Sequence, residues 1–423
     1  MKKILTGLGM LLALLSLPLA AEGEVNPALP PELRVIEAEA FANVPMEHLV
    51  IPEGVVCIGE RAFAGTGLQR ITLPSSLSSI APDAFSGCGQ LWARVPQGSY
   101  AAQWCADNGV SVYTVTGLGV ASHTEQEIRS FAESHPASTG RRVTYRQEPQ
   151  GGSASAEAYA PGLISEESLA DGLNMLNQVR YIAGLNADVT IDAEYERMTG
   201  AASLVHALND MISHYPPRPD EIGDSAYDAL YDLACAGSGR SNLYAGAANL
   251  AYAVLGYMED SDAYNLPMVG HRRWILNPSM GKTAFGYHYR ADSTWQHFSS
   301  LYAFDMSGAG NQTLVAWPAQ KTPMSHFLMP ASCAWSLSFG RYLDPDAIEV
   351  VLRRTRDGRT WNFSTAAADG AFYVNNTGYG QRGCVIFRPD EMDGIAAGDS
   401  FEVSVTDHGS RTVVEYTVDF FNL

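Results

Sequence analysis

The sequence predicts a multi-domain chain behind an export leader: a short stack of repeats, a mixed α/β domain and a C-terminal antiparallel β-sandwich. Three observations point there. A fixed period of twenty-two residues runs through the N-terminal part, apolar residues at helical spacing dominate the middle, and alternation broken by turn signals takes over from about residue 311. At 423 residues the chain is also too long for one ordinary core. The expected bounds are 1–21 for the leader, 22–119 for the repeats and 120–163 for a connecting segment and linker. The α/β domain is expected at 164–300 and the β-sandwich at 301–423.

The leader comes first because it decides the compartment. Lys2 and Lys3 precede an uncharged apolar stretch from Ile4 to about Leu19, followed by the small residues Ala20 and Ala21. That order is the pattern of a secretory signal peptide, whose middle is too short for a stable membrane anchor. No later stretch is apolar for long enough to span a bilayer, so no transmembrane segment is expected. The protein is therefore expected to be secreted or held at a cell surface. The formal charge of −19 becomes −21 once Lys2 and Lys3 leave, and such an acidic surface repels phosphate backbones. Nucleic acid is excluded as a partner on that ground. Six cysteines without a C-x-x-C pair argue against a zinc ribbon or a disulfide-built scaffold. Pairing of Cys88 with Cys105, or Cys333 with Cys384, and buried free thiols both remain open.

In the repeats, Phe41, Phe63 and Phe85 share one register, as do Ile36, Ile58 and Ile80, and Ala40, Ala62 and Ala84. Pro52, Pro74 and Pro96 follow the same step, each after an apolar residue. One small unit stacked on itself explains such columns, each unit burying a face that it could not bury alone. The units IPEGVVCIGERAFAGTG and LPSSLSSIAPDAFSGCG resemble the BspA-like leucine-rich repeats of bacterial surface proteins. That resemblance covers about residues 33–115 and implies protein binding.

Thr124 and Glu127 have capping-box spacing and predict a short helix, followed by a polar strand at 141–146. The Gly-, Ser-, Ala- and Pro-rich stretch 148–163 is expected to be a linker. Ser165 then opens a helix carrying Leu169, Leu173, Leu176 and Val179, and a second helix is expected from Asp192 to Met211. A third is expected to start at Ser241 or Asn242 and to bury Leu243, Ala247, Leu250 and Val254. Further on, Asp357-Gly358 is a hairpin signal within the alternating C-terminal part.

The most informative stretch is VGHRRWILNP, residues 269–278. With the helix LNQVRYIAGL and the segment DMISHYP it resembles the CAP superfamily of cysteine-rich secretory, antigen-five and pathogenesis-related proteins, over about residues 165–292. The resemblance implies an α/β/α sandwich with a cleft where two histidines and two acids meet. The histidines fall on His214 and His271, and one acid falls on Glu259, with Asp260 as its neighbour. The second acid normally sits in a Gly-Glu-Asn-Leu motif. Here the text is Arg240-Ser241-Asn242-Leu243, so Ser241 replaces the glutamate and either lines the cleft or caps the third helix.

Two imidazoles with carboxylates would hold a divalent metal such as zinc or share protons, whereas a serine is a poor ligand and no base. His206 is expected in the core. Arg272, Arg273 and Trp274 suit either an anion-binding edge or ion pairs with the acidic run from Glu259 to Asp262. Two function classes compete. The first is a bacterial interaction protein whose repeats bind protein and whose cleft binds a small ligand, a lipid or a peptide. The second is a secreted hydrolase, a peptidase or cell-wall enzyme, using His214, His271 and Glu259. The loss of the glutamate at 241 favours the first, so catalysis is not the leading expectation.

Overall fold

The computed structural model describes residues 28–153 and 155–423; the expected leader, 1–21, lies outside them. The chain divides into two compact units, one reaching residue 115 and taking in 410–413, the other covering 116–409 and 414–423. Among the described residues no helix is long and apolar enough to cross a membrane.

The first unit is built from the register columns. Val35–Ile36, Cys57–Ile58 and Ser79–Ile80 pair in parallel, and so do His48–Val50, Arg70–Thr72, Trp92–Arg94 and Ser111–Val112. Residue i thus meets residue i+22 wherever two repeats pair, which stacks like on like. The rings of Phe41, Phe63 and Phe85 lie 5.3 Å apart within 5° of parallel, and Ala62 and Ala84 are fully buried because a larger side chain would part the turns. Helix α1, Tyr100–Asp107, closes the stack. Ser99 caps it, and Trp104 meets Phe85 edge-on at 5.7 Å.

The second unit contains helices α2, Glu125–Ser134; α3, Glu166–Ile182; α4, Ala193–Leu208; α5, Asp228–Ser238; α6, Leu250–Glu259; and α7, Gly270–Ile275. The capping box of Thr124 and Glu127 forms as the spacing predicts. A three-stranded antiparallel sheet has His297–Tyr302 at its centre, flanked by Ser241–Ala245 and Phe285–Tyr289. Alternation sends Gly286 and Ser300 to one face and Phe285 and Leu301 to the other. On the first face Ser300 hydrogen-bonds Ser203 of α4, and a Cβ on Gly286 would lie 1.9 Å from the Thr199 carbonyl, so only glycine allows this approach. On the second face Phe285 and Leu301 share a core with Leu169 and Leu176 of α3 and with Leu250 and Val254 of α6.

The expected third helix is corrected at its start. Ser241 and Asn242 lie on a strand, and α6 begins only after Asn249, whose side chain accepts from the Tyr252 amide at 2.8 Å. Gly246, at φ +96°, makes the break between strand and helix. The stretch expected as a linker also differs. Leu163–Ile164 folds back onto Tyr145–Gln147, and the Gly151 carbonyl is bonded by buried His288 at 3.0 Å, so long-range pairing overrides a linker-like composition.

From residue 315 two sheets form. One orders Val315–Trp317, Trp335–Ser338, Cys384–Pro389 and Gly370–Asn375; the other orders Lys321–Pro323, Thr412–Phe421, Ser400–Asp407, Ile348–Arg354 and Thr360–Phe363. Trp335 of the first meets Phe401 and Phe420 of the second at 5.3 and 6.1 Å. Asp357-Gly358 makes the expected turn, with Gly358 at φ +71°. One hydrophobic cluster runs from α3 and α6 into Trp335 and Phe401, so a single core spans the bound expected at 300 and 301. All six cysteines are free thiols.

Candidate functional site

His271 sits in the first turn of α7, and its position depends on two unusual residues. Asp260, just past the end of α6, has φ +43°, and Val269, just before α7, has φ +40°. Left-handed backbone is costly for a branched side chain such as valine and persists where surrounding contacts over-determine it. Here they do. Asp262 accepts from the Tyr264 and Asn265 amides inside the loop, while Arg388 donates to the Ser261 carbonyl and Asn375 to the Pro267 carbonyl from the sheet beyond.

The turn at Asp260 aims its carboxylate back at α7. One oxygen lies 2.7 Å from His271 Nδ1 and the other accepts from the Arg272 amide at 3.1 Å. Asp260 is almost fully buried, whereas about a fifth of the His271 side chain is exposed at 21%. Burial disfavours the imidazolium, but the charge and hydrogen bond of Asp260, helped by Asp262, outweigh it and raise the pKa above the usual imidazole value. Asn242, on the sheet, donates to the His271 carbonyl at 3.0 Å, and the buried Tyr257 hydroxyl donates to the Asn242 carbonyl at 3.1 Å. His271 is thus fixed from its carboxylate partner and from its own backbone.

Glu259 is not that partner. Its Oε2 accepts from the Met329 amide at 3.4 Å, its Oε1 is buried with no hydrogen-bond partner, and burial raises its pKa against the opposing charge of Arg272. The arginines make neither the expected anion-binding edge nor ion pairs in the main. Arg272 donates to the carbonyls of Met258, Glu259 and Ala334, satisfying the end of α6 and tying it to Trp335–Ser338. Arg273 donates to the carbonyls of Met268, Thr377 and Gln381 and to Asn375. Both are buried, since a guanidinium's donors suit several carbonyls at once.

His214 is held at the C-terminus of α5. It is exposed, and its Nδ1 donates to the Ser238 carbonyl at 2.9 Å at the C-terminus of α5. His206, in the core as expected, lies 3.1 Å from the Ser238 hydroxyl and is pushed by burial down to about 4. Ser241 is buried at 3% exposure, and its hydroxyl has no hydrogen-bond partner. No described hydrogen bond, ion pair or ring contact joins His214 to His271. Among the described residues no group of three or more His, Cys, Asp or Glu side chains is placed to hold a metal ion.

Hydrogen bonds thus link His271 to Asp260 directly, and to Asn242 and Tyr257 through backbone carbonyls. The links of Asn242 and Tyr257 to His271 were not expected from the sequence because they run through backbone carbonyls. Tyr215, which follows His214 in sequence, and Tyr264, two residues after Asp262, are 91% and 87% exposed.

Comparison with known families gives two matches. Residues 27–96 match the BspA type leucine-rich repeat region in six copies, and residues 173–302 match the cysteine-rich secretory protein family. No curated protein and no solved structure matches the chain. The second match spans the sheet, α4 to α7 and the His271 site. The chain carries BspA-type leucine-rich repeats followed by a CAP domain of the cysteine-rich secretory protein family.

Proposed function

We propose that the chain is an exported bacterial interaction protein, secreted or displayed at the cell surface, whose repeats bind protein and whose CAP cleft binds a peptide or a small ligand through His271. In general terms the two families fit a protein-interaction role. The helices on both faces of the short sheet support an α/β/α reading of the central module at 164–300, and the facing C-terminal sheets support a β-sandwich at 301–423.

One observation carries the cleft reading: Asp260 holds His271 with a raised pKa and part of its ring exposed. With Nδ1 engaged by Asp260, the Nε2 of His271 suits a ligand carbonyl or carboxylate, and Asp260 favours the protonated, donating form. Tyr215 and Tyr264 add exposed aromatic surface of the kind enriched at interfaces. The test is selection of peptides from a displayed library on the full chain, followed by affinity measurement on His271→Ala. Cleft-bound peptides lose about tenfold or more. Peptides that bind the variant as tightly as the parent would place recognition elsewhere.

A hydrolytic reading keeps one observation in its favour. Orientation of an imidazole by a buried carboxylate is also the arrangement of a general base, with Nε2 free to take a proton or, with His214, to bind zinc. Stoichiometric zinc that disappears in His271→Ala, together with turnover of a peptide or cell-wall substrate lost in the same variant, would establish it in place of the binding reading.

A further inference from the structure

Away from His271, the second unit contains an open cavity of about 780 Å³. It lies among the segment 116–123, helix α2, the turn after α3 and the segment 311–314. Its volume falls in the range of roughly 300–1,000 Å³ usual for small-ligand sites. None of its lining residues belongs to the His271 site, so it stands or falls separately from the cleft.

Its lining carries no formal charge. The chain is 17% charged, yet no Asp, Glu, Lys or Arg is among the seventeen lining residues. The one titratable imidazole, His123, has its pKa lowered by burial, against a smaller opposing effect of Glu127, and is neutral at pH 7. Polar capacity comes instead from the amides of Asn186, Asn311 and Gln312 and the hydroxyls of Thr116 and Thr313. Amides and hydroxyls both donate and accept, which matches ligand hydroxyls that do the same.

One wall is a preformed ladder of rings. His123 stacks on Tyr181 at 3.7 Å and Tyr181 on Phe131 at 4.1 Å, with interplanar angles of 16° and 7°, and His135 extends the ladder on Phe131 at 4.1 Å. Three of these four rings line the cavity. A ladder so close-packed has little rotamer freedom to lose when a ligand arrives. Aromatic surface beside neutral, two-way hydrogen-bonding groups suits a molecule with C–H faces and hydroxyl edges. Glu127, close enough to act on both His123 and Tyr181, would repel an anion at the rim.

We propose that this cavity is a carbohydrate-binding site for a short neutral oligosaccharide. The experiment presents the labelled full chain to an array of neutral and acidic glycans, with His123→Ala and the double variant Asn186→Ala, Asn311→Ala in parallel. Asn186 and Asn311 are exposed, so the double variant is expected to melt like the parent, which separates lost contacts from lost fold. The expected result is retention on neutral glycans with binding reduced about tenfold or more in both variants. Retention on acidic glycans alone, on none, or equally by parent and variants would overturn the proposal.

Discussion

The repeat stack and the central unit are stabilised in different ways. In the stack each contact is made again one turn later: Phe41 on Phe63 repeats as Phe63 on Phe85, at the same 5.3 Å. In the central unit the decisive contacts occur once. Arg180 ties α3 to the carbonyls of Ile275, Asn277 and Met280 behind α7, and Arg272 ties the end of α6 to the neighbouring sheet. The difference teaches where a sequence is informative. A repeated contact leaves a column that can be seen in one chain, whereas a side chain that bonds carbonyls leaves none, because every residue offers a carbonyl.

The largest expected effect breaks the stack. Phe63→Ala removes the central ring between two neighbours and should cost the repeat unit about 4 kcal/mol, read from denaturant unfolding. Smaller damage at several turns, in place of loss of the whole unit's cooperative transition, would argue against a stack that shares one core. Next is Arg272→Leu, which deletes the donors and leaves three carbonyls short of partners. A loss of roughly 3 kcal/mol is expected in the transition that exposes Trp335, and an unchanged midpoint would show that the clamp is dispensable.

A milder test sets the histidines against each other by pH. His206, His288 and His326 are each lowered by burial to about 4, so they stay neutral in the folded state. Their contribution is fully present above the unfolded value of about 6.5 and is lost as pH falls toward 4. His271 has the opposite sign. Its folded pKa is raised, so its contribution is present below about 6.5 and is lost as pH rises through the folded value. Replacing His271 by Gln should therefore leave the acid limb of stability intact and flatten only the decline on the alkaline side of 6.5. The smallest expected effect is at the capping box, where Thr124→Ala should cost about 1 kcal/mol, visible as earlier fraying of α2 by hydrogen exchange.

Legibility follows the same division. The repeat columns, the starts of α2, α3 and α4 and the turn at Asp357-Gly358 could be read because each rests on local spacing or capping. The start of α6 could not. Ser241 and Asn242 are good cap residues, and the stripe from Leu243 to Val254 keeps helical spacing even though its first part is strand. His271 and an acidic neighbour at 259 or 260 were legible in the sequence. The choice of Asp260 over Glu259 as the partner of His271 was not, because it depends on one left-handed turn.

Asp260 aims His271 and favours its protonated form. The direct measurement is an NMR titration of the His271 ring in the full chain and in Asp260→Asn. A midpoint above 6.5 in the parent that falls below 6.5 in the variant is the expected result. A midpoint at or below 6.5 in the parent, unmoved by the substitution, would contradict it.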